Sequence, residues 1–268
     1  MAKTPRGVKA LLKRTQSGKL VKAKAYTCYR RVGEGNRPVG PKLGGVAKRL
    51  HDNVFRTDAH LPIGTDAKPG GAFRGPNGGL RRGTMVDSQV SALASKSARA
   101  RKTGATMRLS KAAFAALETL NLTPAMGQRV VLDSARGVAT AADVVATRPL
   151  EGQPGQFEVV IVELKTGYGG NRSAAATDKR GRAVQMRAPC RTAKDCVLNR
   201  HLAQLAATYA LFKQEKGTLK ALQSIHATKT SAALLYVCES KGPECFWLPD
   251  WWERRGSKLL DAAAERQS

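Results

Sequence analysis

Hydrophobic residues in the second half of the chain follow patterns typical of strands and of helices. Short apolar runs bounded by Gly, Pro or polar residues predict strands at 129–134, 137–147, 157–165, 231–238 and 245–250. Apolar residues at helical spacing predict helices at 87–102, 109–124 and 197–215, followed by a helical C-terminal tail. Ser110 is the candidate N-cap of the second helix, and Pro124 is predicted to end it. Because a long helix lies between strands, the order predicts an α/β (α+β) fold, with a mixed central sheet flanked by helices.

The first third of the chain lacks such regular patterns. Residues 1–50 predict a basic, weakly structured arm with one short helix over Val8–Arg14. Residues 60–83 are rich in Gly and Pro, which is typical of a loop or linker. The pattern therefore predicts two parts, a basic N-terminal arm and linker at 1–83 and an ordered domain at 84–268.

The net charge of the chain and its distribution indicate which class of partner the protein binds. The formal net charge is +26, and the first 110 residues carry 24 Lys and Arg against five acids. A concentration of positive charge on one part of a chain is typical of proteins that bind polyanions, and nucleic acid is the common polyanion. DNA is the predicted partner. An alternative for the arm is a targeting role, because residues 1–33 contain no acid, as in transit peptides.

Composition also excludes several classes. The chain has no run of about 18 uncharged apolar residues, so no membrane span is predicted, and no secretory signal opens it. Its five cysteines are odd in number and are not spaced as in zinc sites, so neither disulfides nor zinc are expected. An intracellular protein is predicted. The choice between nucleus, organelle and the compartment of a large DNA virus stays open, as does a homo-oligomer.

Candidate chemistry lies at the end of the apolar run 157–165. Residues two apart in a strand point to the same side, so Glu163 and Lys165 are predicted to lie together. Asp143 interrupts another apolar strand, and it would lie beside Glu163 if the two strands form a hairpin. Two carboxylates and a lysine suit a Mg²⁺ or Mn²⁺ site for phosphodiester hydrolysis. Asp133 is a weaker candidate. The alternative for Glu163 and Lys165 is a solvated ion pair at a strand end.

These residues resemble the PD-(D/E)XK nuclease superfamily in its RecB-like, lambda-exonuclease-like branch. Asp143 precedes the sequence Glu163-Leu164-Lys165 by 20 residues, and "ELKTG" matches the wording of that branch. The stretch "RRGTMVDSQV" stands where the branch has an upstream helix, and "HLAQLAATYA" stands where it has a helix with Gln and Tyr. The resemblance covers residues 82–248.

The resemblance implies a restriction-endonuclease-like core and a Mg²⁺-dependent deoxyribonuclease, an exonuclease of recombination, repair or replication. Asp143 and Glu163 would bind the metal ion, Lys165 would orient the attacking water, and Gln204 would support the substrate strand. Asp87 would bind a second metal ion, although the branch usually has His or Glu there. Gln204 and Tyr209 are five residues apart rather than four, so Tyr209 is interpreted as a core residue.

Other residues have more than one interpretation. The long loop after the candidate strand is rich in cations that could clamp DNA: Arg172, Lys179, Arg180, Arg182, Arg187 and Arg191. His201 is interpreted as a packing or phosphate-side residue rather than a catalytic base. The three tryptophans are interpreted as anchors of the C-terminal helix, with base stacking as the alternative.

Two alternative functions stay open. A non-catalytic basic DNA-binding or packaging protein could retain a silent nuclease-like core. A structure-selective endonuclease or resolvase would use the same site. The sequence does not distinguish DNA from RNA, or single from double strands.

Overall fold

The computed structural model of the chain describes residues 5, 7–16, 18–22, 27–32, 38–62 and 78–264. Within them the helices are α1 (Val8–Arg14), α2 (Val46–Asn53), α3 (Gly78–Ala94), α4 (Ala98–Gly104), α5 (Arg108–Thr119), α6 (Val197–Gln214), α7 (Lys216–Gln223), α8 (Asp250–Glu253) and α9 (Gly256–Ala264). The strands are β1 (Gly18–Lys22), β2 (Thr27–Val32), β3 (Pro38–Gly45), β4 (Thr123–Asp133), β5 (Val138–Pro149), β6 (Phe157–Thr166), β7 (Ala227–Val237) and β8 (Glu244–Trp247). The prediction of a mixed α/β protein is confirmed.

The strands of the described residues form one mixed sheet. Their order is β1-β2-β3-β5-β6-β7-β8, and β4 pairs with β5 beside this path. The β3–β5 and β6–β7 pairs are parallel, and the other pairs are antiparallel. The parallel β6–β7 pair needs a long crossover, which the loop after β6 together with α6 and α7 provides.

Helices cover both faces of the sheet. Alternate residues of a strand point to opposite faces, so the residues of β6 contribute in turn to two cores. Val159 and Ile161 of β6 pack into a core shared with α1, α2, α6 and α9. Val160 and Val162 pack into a second core with α3 and α5. A continuous β-branched run is typical of a strand that is buried on both faces. No helix among the described residues combines the length and the apolar character that a bilayer span requires.

The described N-terminal residues differ from the prediction of a weakly structured arm. The helix predicted over Val8–Arg14 is present, and its Val8, Leu11 and Leu12 are buried in the larger core. β1–β3 extend the sheet, and α2 packs against α6 and α9. These strands were not predicted, because their sequences are basic and rich in glycine. Local composition does not show which strand they pair with. Of the predicted linker, residues 63–77 lie outside the described residues, and α3 begins at Gly78, before the predicted start of order at Thr84.

Local details of the helical prediction also change. Residues 87–102 form parts of two helices, and Ser97 is the N-cap of α4 because its side chain accepts a hydrogen bond from the backbone N–H of Ala100 (3.2 Å). The prediction that Ser110 caps α5 is wrong, since Met107 is the N-cap and Ser110 is buried inside the helix. Pro124 lies in β4 rather than at the end of α5.

Candidate active site

The candidate residues surround a gap in the pairing of β5. β4 pairs along almost the whole of β5. β6 pairs with residues 144–149 of β5, and β3 pairs with Val138 and Ala139. A strand has only two edges, so β3 and β6 must share the edge opposite β4. Residues 140–143 therefore have no strand partner on that edge within the described residues, and the sheet forks there.

Glu163 and Lys165 lie at this fork and contact α6. The Oε1 atom of Glu163 accepts hydrogen bonds from Nζ of Lys165 (2.6 Å) and from Nε2 of Gln204 (2.6 Å). Nζ of Lys165 also donates to Oε1 of Gln204 (3.3 Å). Glu163 is only 2% exposed. The pair therefore has a buried carboxylate and a half-buried lysine braced by a third side chain, unlike the solvated ion pair of the alternative interpretation.

Asp143 lies across the fork from Glu163. The pairing of Val144 with Val162 places position 143 opposite position 163 when the antiparallel register is continued. The Oδ2 atom of Asp143 accepts a hydrogen bond from the backbone N–H of Leu164 (2.8 Å). The carboxylate thus satisfies a backbone donor of β6 just beyond the last paired residues. The hairpin that the sequence predicted is present.

Asp87 reaches the same place from the opposite helical layer. Its carboxylate accepts hydrogen bonds from Nε2 of Gln128 to Oδ1 (3.1 Å) and Oδ2 (3.0 Å), and one from the hydroxyl of Ser91 (3.3 Å). Nε2 of Gln128 also lies 3.5 Å from Oδ1 of Asp143. Gln128 therefore connects the two aspartates. Its backbone has a φ of 49°, an unusual value for a residue other than glycine and one that marks a special local geometry in β4.

A glycine next to Gln128 allows this approach of α3. A Cβ atom added at Gly127 would lie 2.4 Å from the backbone oxygen and 2.5 Å from the Cα atom of Ser91. Any larger residue would collide with the helix backbone, which cannot move aside as a flexible side chain can. Gly127 thus sets the distance between α3 and β4, and with it the position of Asp87.

Burial and mutual repulsion dominate the electrostatics of the carboxylates. Burial, and then the negative charges of Glu163 and Asp87, raise the pKa of Asp143 well above its usual value. Burial also raises the pKa of Asp87, against the hydrogen bonds from Ser91 and Gln128. Burial opposes the charge on Lys165, but attraction by Glu163 and Asp143 outweighs it and raises the pKa of the lysine. One ammonium group is thus shared among three acids, which favours an additional cation.

Tyr29 of β2 closes the fork on the side of β3. Its hydroxyl is hydrogen-bonded to the side chain of Thr140 and the backbone of Ala141, two residues of the unpaired stretch. Burial, followed by the charges of Glu163 and Asp143, raises the pKa of Tyr29 to about 12. Sequence reasoning missed both Tyr29 and Gln128. Tyr29 lies in the segment interpreted as an arm, and no local pattern distinguishes Gln128.

His201 lies one helical turn before Gln204 and packs among aromatic rings. Its Nδ1 atom is 2.7 Å from the hydroxyl of Tyr236, and its ring centroid is 4.8 Å from that of Tyr168 in an edge-on arrangement. Burial, and then the charge of Lys165, lower the pKa of His201 well below its usual value. This is a packing environment, in agreement with the sequence-based interpretation.

The cationic loop after β6 divides into two groups. Arg172, which was predicted to contact nucleic acid, points into the protein. Its side chain is buried, stacks on Tyr236 at 4.1 Å and forms an ion pair with Glu244. The other five cations are exposed. Arg182 pairs with Asp178 (2.8 Å), and Arg187 lies 3.8 Å from Asp58, whereas no ion pair is formed by the remaining three among the described residues: Lys179, Arg180 and Arg191.

Other sequence candidates have structural roles. Tyr209 is buried, and its hydroxyl donates to the backbone oxygen of Thr230 (2.7 Å), as expected of a core residue. Asp133 closes the turn after β4 by accepting hydrogen bonds from the backbone N–H groups of Ala135 (2.9 Å) and Arg136 (3.1 Å). Trp252 is buried against the larger core, which agrees with its interpretation as an anchor.

The donor set fits a hard divalent cation. The Oε2 atom of Glu163 is buried without a hydrogen-bond partner, a condition that costs about 1–3 kcal/mol unless another ligand satisfies it. Mg²⁺ prefers oxygen ligands and usually binds one or two carboxylates with water and phosphate oxygens. Asp143 and Glu163 supply two carboxylates. Within the described residues there is no group of three His, Cys, Asp or Glu side chains able to hold a metal ion.

Comparisons of the chain with protein-family models, with curated proteins and with solved structures find no match.

Proposed function

We propose that the chain is a divalent-metal-dependent deoxyribonuclease with a PD-(D/E)XK, restriction-endonuclease-like core. The observation that carries the proposal is the unsatisfied Oε2 atom of Glu163, buried at a sheet fork beside Asp143 and Lys165. A metal ligand needs an oxygen free of hydrogen bonds, and this one lies next to a second carboxylate and a lysine.

Each residue of the site would have a different role in hydrolysis. Asp143 and Glu163 would hold Mg²⁺ or Mn²⁺, which when bound polarises a phosphodiester and makes water a better nucleophile. Lys165 stays protonated beside Glu163, so it can neutralise charge that develops on the phosphate and orient the water. Gln204 fixes both side chains through its two hydrogen bonds. Asp87 lies one side chain away, across Gln128, where it can bind a second cation or brace the first site.

Exonuclease action in recombination, repair or replication is the form of the activity that the motif resemblance favours. The net charge of +26 supports DNA as the substrate, because phosphate contacts dominate the affinity of proteins for nucleic acids. A structure-selective endonuclease would use the same residues, and the two activities differ in the substrate form that they cleave.

The test compares cleavage by the wild-type protein and by three site variants, Glu163→Gln, Asp143→Asn and Lys165→Met. Linear duplex, circular duplex and a four-way junction are incubated with Mg²⁺, with Mn²⁺ and with EDTA. Metal-dependent cleavage is expected in the wild type. It should be lost in both carboxylate variants and fall at least about 100-fold in Lys165→Met, because a positioned charge that stabilises the transition state is removed.

Asp133→Asn is the matched control, because it removes an acid that lies in a turn rather than at the fork. It should cleave like the wild type. Loss of linear DNA alone indicates an exonuclease, and preferential cutting of the junction indicates a resolvase. Metal-independent cleavage, or DNA binding with no cleavage in the wild type, would contradict the proposal and favour the non-catalytic binding protein.

A further inference from the structure

A second cluster of cations lines a surface cavity that the nuclease proposal does not use. The cavity has a volume of about 600 Å³ and lies between the loop at 188–192 and the C-terminal helices. Its lining consists of Ala188, Pro189, Arg191, Thr192, Arg254, Arg255 and Lys258. Four of these seven residues are cationic and none is acidic. We name this cavity the Arg191–Lys258 pocket.

Among the residues that the structure describes, three cations of this pocket lack the acidic partners that two cations next to the C-terminal helices have. Lys213 pairs with Glu253 (2.7 Å), and Arg136 pairs with Asp261 (2.8 Å). By contrast, the side chains of Arg191, Arg254 and Lys258 make no ion pair or hydrogen bond within the described part of the chain. Like charges gathered in one concavity repel one another and concentrate a positive potential there. A bound anion would relieve this repulsion.

One cation and the loop backbone of the pocket are held in place without a ligand. The guanidinium of Arg255 lies 3.5 Å from the centroid of the Trp251 ring and donates to the backbone oxygen of Trp251 (3.2 Å). Backbone hydrogen bonds close the loop on the other side, from Cys190 N–H to Arg187 (2.9 Å) and from Ala193 N–H to Cys190 (2.9 Å). The nine-residue helix α9 begins at Gly256, so the positive end of its dipole lies beside Arg255. Contacts that are already formed reduce the entropy lost on binding.

We propose that the Arg191–Lys258 pocket binds a backbone phosphate of a nucleic acid strand. Two arginines and a lysine without partners attract a phosphate by their positive charge, and arginine also matches its geometry. The identity of the polymer rests on the proposed function. The same loop begins directly after β6, whose end carries Glu163 and Lys165, so one segment connects the pocket to the candidate active site. Such a contact positions a strand without reading its sequence.

The test measures the salt dependence of DNA binding in EDTA, where cleavage does not interfere. The double variant Arg254→Ala, Lys258→Ala is compared with the wild type on a fluorescent duplex. Each lost phosphate contact should reduce the slope of log K against log salt by about 0.9, so loss of the one phosphate in the pocket should reduce the slope of the double variant by about 0.9. Both side chains are exposed, so the variant is expected to fold, and circular dichroism checks this.

The matched control removes the same charge from the opposite helical layer. Lys102→Ala, Lys111→Ala changes two exposed lysines beside Glu118, in a cavity between α4 and α5. The control should keep the wild-type slope. An equal decrease in both double variants would show a general charge effect and overturn the proposal. An unchanged slope in the Arg254, Lys258 variant would also overturn it.

Inorganic phosphate distinguishes the polymer from a small ligand. Because Arg255 stacks on Trp251, phosphate titration can be followed by tryptophan fluorescence. Saturation by phosphate together with an unchanged DNA slope in the variant would assign the pocket to a small anion and overturn the proposal. The result is independent of hydrolysis, since a wild-type protein that binds DNA through this pocket but never cleaves it would refute only the nuclease proposal.

Discussion

At the scale of single residues, the environment of His201 favours its neutral form. Burial, and then the charges of Lys165 and Arg200, lower its pKa well below the usual value. In the unfolded chain this side chain binds a proton below about pH 6.5, whereas in the folded protein it does so only at lower pH. The unfolded state then binds more protons, so this histidine makes the free energy of unfolding decrease as the pH falls from about 6.5 towards the folded-state pKa.

We expect His201→Gln to remove this part of the pH dependence, because glutamine does not titrate and its amide can hydrogen-bond to Tyr236. Urea denaturation of both proteins between pH 5 and pH 8 gives the free energy of unfolding. The raised pKa values of Asp87 and Asp143 affect both proteins equally, so the difference between the two curves isolates His201. The wild type should lose stability relative to the variant below about pH 6.5. Parallel curves would contradict the prediction.

The site residues that could be predicted from the sequence are those whose neighbours follow from the periodicity of a strand. The two-residue period of a strand places Glu163 beside Lys165, and the charge that interrupts an apolar strand identified Asp143. Gln128 and Tyr29 could not be found in this way, because their proximity depends on which strands share an edge of β5. Arg172 is a residue that the sequence misplaced, since the sequence of a basic loop does not reveal which of its cations is buried against Tyr236.

At the scale of elements, the spacing of α3 and β4 leads to a prediction at Gly127. A side chain there would meet the backbone of Ser91, so Gly127→Ala should push the two elements apart and move Asp87 away from Gln128. We expect a loss of about 1–3 kcal/mol in the free energy of unfolding, as for other overpacked sites. Metal-dependent cleavage should fall as well. Urea denaturation and the cleavage assay measure the two effects.

Gly217→Ala is the control for this substitution. Gly217 lies in the first turn of α7, and an added Cβ atom there would have nothing within 4 Å. Alanine should leave cleavage unchanged and raise the free energy of unfolding by up to about 1 kcal/mol, because alanine is the better helix former. If both alanine variants were as stable and as active as the wild type, close packing of α3 on β4 would not be what positions Asp87.

The elements that sequence reasoning recovered share long apolar runs. β6 and α6 were predicted almost at their observed bounds, because one is buried on both faces and the other has a wide apolar face. β1–β3, α2 and α7 were missed. They are short and rich in Lys, Arg or Gly, and tertiary contacts rather than intrinsic propensity stabilise such elements.

At the scale of the whole molecule, one buried arginine joins the N-terminal segment to the rest of the fold. Arg129 of β4 is fully buried and donates hydrogen bonds to the backbone oxygens of Leu12 and Thr15, at the C-terminal end of α1. It also forms an ion pair with Glu215 and donates to the hydroxyl of Thr218 (3.1 Å). A positive charge at the end of a helix stabilises its dipole. Arg129 therefore connects α1 with Glu215 and Thr218, and α1 is part of the core of the fold.

Arg129→Met should consequently unfold the molecule more easily and release α1. Removing one member of a buried ion pair costs about 3–5 kcal/mol, because the other charge is left uncompensated. In the double variant Arg129→Met, Glu215→Gln part of this loss should be recovered.

Arg136→Met is the control, since its ion pairs with Asp133 and Asp261 are partly exposed, and such pairs contribute at most about 1 kcal/mol. Urea denaturation gives the free energies, and limited trypsin digestion at Lys13 and Arg14 reports the release of α1. Equal losses of stability in Arg129→Met and Arg136→Met, with α1 still resistant to trypsin, would mean that the buried arginine does not hold the N-terminal segment in place.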